Sequence, residues 1–96
     1  MQAYKAMGYQ QIVSPATAQA LTVPTDTNNQ KPNLAIISCT TQAIRIRDDG
    51  TNPTTTVGVF IPVNVPYYYR GPMASLRLIQ VTTNATVDVL YYQDPN

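Results

Sequence analysis

The most acidic stretch of the chain is Asp48-Asp49-Gly50-Thr51-Asn52. Paired carboxylates can hold calcium or share general acid–base work. Calcium needs about six to eight oxygens at set positions, and this run lacks the EF-hand spacing. The remaining carboxylates, Asp26, Asp88 and Asp94, are scattered along the chain with no local pattern. The chain has no histidine and no glutamate. Without histidine, neither a Ser-His-Asp nor a Cys-His arrangement can be assembled. Zinc needs several His or Cys ligands, and Cys39 is the one cysteine. The sequence therefore predicts no enzyme, no metal site and no cofactor. Asp48-Asp49-Gly50 is expected to be a turn with Asx-type side-chain bonds.

Two other groups suit contact better than catalysis. Arg45 and Arg47 alternate on one strand face beside Asp48 and Asp49. In a chain so poor in charge they form either a stripe that meets a partner or a solvated face with weak local ion pairs. Tyr67-Tyr68-Tyr69-Arg70 is the strongest local feature. Adjacent strand residues face opposite ways, so the three tyrosines cannot all be core. Tyrosine and arginine are enriched at interface hot spots, and a contact between protein chains is the leading expectation. A sugar-binding face, or a half-buried strand end with its hydroxyls in water, are the alternatives. Cys39 closes an apolar run and reads as a buried small hydrophobe.

The elements that must position these groups follow from length, composition and periodicity. Ninety-six residues make one domain, and a chain this size buries only about 60% of its unfolded surface. Hydrophobic residues make up 44%, which argues against disorder, whereas charged residues make up only 11%. A net charge of +1 neutralises no phosphate backbone, so nucleic acid is not an expected partner. No apolar run reaches membrane-spanning length, and residues 1–8 do not have the apolar core expected of a signal peptide. Eight prolines, from Pro15 to Pro95, exclude long helices.

The apolar pattern has a period of two. Ile44 and Ile46 share one face against Arg45 and Arg47, and Val87, Val89 and Tyr91 share another. Further strands are expected at Leu34 to Cys39, Val57 to Val63 and Ser75 to Thr82, with weaker ones at Tyr9 to Val13, Ala20 to Val23 and Asn64 to Tyr69. Thr83-Asn84 should open a hairpin joining the last two strands. The expected fold is an all-β, single-domain antiparallel β-sandwich, jelly-roll-like, over residues 9–96. Residues 1–8 read as an N-terminal arm. Its Tyr4 and Met7 would order only against a neighbouring subunit.

The run Ala43-Ile44-Arg45-Ile46-Arg47-Asp48-Asp49-Gly50-Thr51-Asn52-Pro53-Thr54, followed by Val57-Gly58-Val59, resembles a pattern in small virion proteins of tailed bacteriophages. Leu76-Arg77-Leu78-Ile79 and the closing Tyr91-Tyr92 extend the resemblance over roughly residues 20–92. The family pattern often has an aromatic between the two arginines, where this chain has Ile46. The resemblance implies a compact, multimeric β-sandwich displayed on the virion, assembled in the host cytoplasm. The role it implies is a capsid decoration (cement) protein on the outer capsid surface, bridging subunits of the major capsid protein. A homo-oligomer is expected, a trimer by lattice geometry. A neck, collar or tail component and a carbohydrate-binding module for host attachment are the other readings.

Overall fold

The computed structural model describes residues 4–95. Eight strands follow in chain order: β1 (Lys5–Val13), β2 (Gln19–Ala20), β3 (Leu34–Thr40), β4 (Ile44–Arg47), β5 (Val59–Ile61), β6 (Tyr67–Tyr69), β7 (Arg77–Gln80) and β8 (Thr86–Gln93). One 3₁₀ turn, Met73–Ser75, precedes β7, and no α-helix occurs among the described residues. The fold is all-β, with two antiparallel sheets ordered β1-β8-β3-β6 and β2-β7-β4-β5. The pairing is nested: β1 with β8, β2 with β7, β3 with β6 and β4 with β5. The chain thus doubles back as one long antiparallel ribbon. Pairing of β3 with β8 and of β4 with β7 gathers that ribbon into two sheets.

Alternation supplies the core. Val87, Val89 and Tyr91 of β8, Ile44 and Ile46 of β4, and Leu78 of β7 are all buried. With Ala35, Ile37 and Cys39 of β3 and Ile61 of β5 they form a single apolar cluster fed by both sheets. Strand residues one position off these point away from it. Cys39 is fully buried, and burial pushes its thiol pKa up, so it packs as a small hydrophobe.

Three expectations change. Thr83-Asn84 does not open a hairpin between paired strands, because β7 and β8 belong to different sheets. The buried Gln80 makes this crossing: its amide oxygen accepts the backbone N–H of Ala85 at 3.1 Å. The expected arm over residues 1–8 is also revised. Residues 5–8 are the first half of β1, with Lys5 opposite Gln93 and a bulge between Ala6 and Gly8. That bulge hides the alternation, and Met7 packs against the core from it. Residues 1–3 of that arm lie outside the described residues. Finally, β5 is shorter than Val57 to Val63. Gly58, at φ 137°, passes so close to β4 that a Cβ would lie 3.1 Å from the Ile46 carbonyl oxygen, and Pro62 has no N–H to extend the ladder.

The loop between β2 and β3 is tied by one side chain. Asp26 accepts the backbone N–H groups of Asn28 and Gln30 at 2.8 and 2.9 Å, and Lys5 donates to it at 3.0 Å. The Gln30 amide and then Lys5 hold its carboxyl below the usual range.

Val89→Asp should leave the chain unfolded, since an unpaired charge in so thin a core costs several kcal/mol, on the order of the whole stability. Circular dichroism and soluble yield report it. The fold should also weaken in alkali. Burial pushes the Tyr91 phenol up to about 12 from 10.0, and burial followed by the nearby Asp48 carboxylate raises Tyr69 as well. Unfolded tyrosines lose their protons first, so this stabilisation is complete below pH 10 and disappears as pH climbs past 12. Thermal melts across that window should fall steadily.

Candidate functional site

The side of the β1-β8-β3-β6 sheet that points away from the core is the candidate site. Four residues there stand directly opposite one another in an unbroken row, one from each strand. Tyr9 pairs with Leu90, Leu90 with Ile36, and Ile36 with Tyr68. Tyr9 is 59% exposed, Leu90 41% and Tyr68 62%, with Ile36 half-buried between them. An aromatic stands at each edge and branched aliphatics stand in the middle. Contiguous exposed apolar area of this kind is a feature that protein contact surfaces share.

The next row is polar and holds the first in place. Gln11 lies opposite Asp88, and Asp88 opposite Ser38. The Tyr9 hydroxyl donates to Asp88 Oδ1 at 2.5 Å, and Gln11 Nε2 donates to the same oxygen at 3.1 Å. That bond to a carboxylate raises the Tyr9 phenol pKa. On the other side of the row, Tyr92 meets the exposed Tyr4 with ring centroids 6.1 Å apart.

The sequence-predicted contact residues divide among several places. Tyr68 and Tyr4 lie on or beside this face. Tyr67 is half-buried against the core, as is Met7. Tyr69 is corrected from a contact residue to a core residue, 6% exposed. Its hydroxyl donates to Asp48 Oδ2 at 2.7 Å and lies 3.1 Å from the Pro72 carbonyl oxygen. Gly71 leaves room for that phenol, since a Cβ there would sit 2.6 Å from the hydroxyl. Arg70 pairs with the buried Asp94 at 2.7 Å.

Arg45 and Arg47 belong to the outward face of the other sheet, with Arg47 opposite Arg77. Arg45 donates to the carbonyl oxygens of Thr55 and Gly58 at 3.1 and 2.9 Å, and its guanidinium lies 5.2 Å from the Phe60 ring centroid. Arg47 forks onto Asp49 at 3.0 and 2.5 Å. Their donors are largely spent within the chain.

Sequence reasoning missed Tyr9, Leu90 and Ile36. Leu90 carried a signal, as an apolar residue on the face opposite Val89 and Tyr91. A cleft of about 430 Å³ beside β5 is lined by Arg47, Asp48 and Asp49, all engaged as above. Among the described residues, no three His, Cys, Asp or Glu side chains gather to hold a metal ion. No helix there is long and apolar enough to cross a membrane. No protein-family model, curated protein or solved structure matches the chain.

Tyr69→Phe keeps the ring and removes its bond to Asp48, so urea unfolding should show a loss of about 1–2 kcal/mol. Tyr68→Phe, whose ring stands in solvent, should leave the midpoint within about 0.5 kcal/mol of the parent.

Proposed function

We propose that this chain is a non-enzymatic virion structural protein of a tailed bacteriophage, a decoration (cement) subunit on the outer capsid surface. In this role it associates with copies of itself and bridges subunits of the major capsid protein. The carrying observation is the Tyr9–Leu90–Ile36–Tyr68 row, an apolar strip across a whole sheet. It offers area for another protein and no reactive group. The resemblance around Arg45-Ile46-Arg47-Asp48-Asp49-Gly50 supports the virion setting.

The fold within this reading is a jelly-roll sandwich. Its support is the nested pairing: an eight-stranded ribbon rolled so that β8 lies beside β3 and β7 beside β4 produces the two sheet orders. Both sheets also feed one core cluster.

A second reading has one observation in its favour. Tyr9 and Tyr68 end a row that lies next to the one containing Gln11, Asp88 and Ser38, and exposed rings beside hydrogen-bonding groups also suit a glycan. The two readings make different forecasts for Tyr68→Ala. As a protein-contact hot spot, it should cost about 2 kcal/mol or more of association while the circular dichroism spectrum stays unchanged. As a glycan platform, it would leave self-association and capsid binding intact and abolish glycan-array signal. Copy number comparable to the major capsid protein in purified virions is the expected result. A handful of copies per particle would move the protein to the neck or tail.

A further inference from the structure

We propose that a second copy of this chain covers the outward face of the β1-β8-β3-β6 sheet, packed face to face about a two-fold axis. The inference rests on reading that face as a protein contact and names what covers it. The row reads Tyr-Leu-Ile-Tyr from one edge of the sheet and Tyr-Ile-Leu-Tyr from the other. An axis parallel to the strands, midway between β8 and β3, superposes these two readings. Tyr9 of each copy then meets Tyr68 of the other, and Leu90 meets Ile36. This is the isologous pattern, in which the same patch serves both partners.

Charge agrees with that axis. Two charged side chains belong to this face: Asp88, whose carboxylate already accepts from Tyr9 and Gln11, and Arg70, one residue past β6, which is paired with Asp94. The axis sets each Asp88 over the other copy's Ser38, its opposite number across β8 and β3, so no carboxylate meets a carboxylate. A partner held by ion pairs would find here one carboxylate and one guanidinium, each already engaged within the chain.

The size of the face is set by unequal strands: at about 3.3 Å per residue β1 and β8 run roughly 26–30 Å, β3 roughly 23 Å and β6 roughly 10 Å, across a width of roughly 19 Å. That plan is on the order of 430 Å² before the projecting tyrosines and aliphatics add their relief, which places the pair toward the low end of specific interfaces. Sheets packed this way lie about 10 Å apart with strands near-aligned, a spacing that large side chains from both faces fill. The pair carries its two guanidinium-bearing sheets on opposite outer sides, each free to meet a capsid subunit.

Sedimentation velocity of the full chain at micromolar concentration should give twice the mass of one chain. Leu90→Arg, an outward position that spares the core, should raise the dissociation constant roughly thirtyfold with an unchanged circular dichroism spectrum. Tyr9→Lys and Tyr68→Glu should each weaken the dimer, and the two together in one chain should restore it. Within a chain those positions stand roughly 14 Å apart, three strand spacings, so the rescue must act between copies. A monomeric or trimeric wild type, a dimer indifferent to Leu90→Arg, or a double variant that stays dissociated would overturn the proposal. A dimer that ignores capsids would sink the decoration reading alone, and a monomer that decorates them would sink this contact alone.

Discussion

The pairing of β8 with β1 on one side and β3 on the other is the interaction on which the rest of the molecule depends. It sets Lys5 opposite Gln93 and Leu34 opposite Tyr92, joining the two ends of the described chain to its middle. Val87, Val89 and Tyr91 enter the core from this strand, so losing its register would remove the largest share of one sheet's apolar face. The pairing is nested, so every inner pair lies within the loop that β1 and β8 close. Such closure costs chain entropy before the contacts return it. The fold is therefore expected to form as a unit, with no stable half.

A chain with so few charges builds its interior around neutral polar groups. Tyr91, buried to 1% exposure, donates to Gln10 Oε1 at 2.7 Å. Gln80 serves the backbone at the crossing into β8, and Tyr69 reaches Asp48. In each case an apolar body fills space while its polar tip finds one partner, which satisfies the group without an ion in the core. The ion pairs lie further out and fasten loops or chain ends: Lys5 to Asp26, Arg47 to Asp49, Arg70 to Asp94. The more exposed Arg47–Asp49 pair contributes little, whereas the Asp94 carboxylate is buried and needs Arg70 as its partner, so stability rests on packing, on the ladders and on keeping that carboxylate paired.

The same economy shapes the surface. Guanidinium groups gather on the outward face of one sheet and are drawn onto nearby carbonyls, a ring and a carboxylate. The outward face of the other sheet is left with tyrosines, aliphatics and one carboxylate held by its neighbours, with Arg70 beside β6 drawn onto Asp94. Such a face gains from contact with another protein and has little to lose in desolvating charge. The proposed assembly role draws on that asymmetry: one side offers apolar area, and the other is polar.

Periodicity alone determined the all-β class and most strand positions. Ile44, Ile46, Leu78, Val87 and Val89 are buried because a two-residue period leaves an apolar side chain one face to hide on. It also required the three tyrosines to divide, with Tyr68 opposite Tyr67 and Tyr69. What it could not determine was which strands are neighbours. β7 and β8 are adjacent in sequence yet belong to different sheets, and the first half of β1 gave no signal across its bulge. Tyr69 looked like a contact residue until Asp48, 21 positions away, was found holding its hydroxyl. The apolar row was invisible for the same reason. Tyr9, Ile36, Tyr68 and Leu90 lie far apart in the chain, and only the registers of three separate ladders set them side by side. Alternation is local and legible in the sequence, whereas register is a property of pairs of strands that tertiary packing selects.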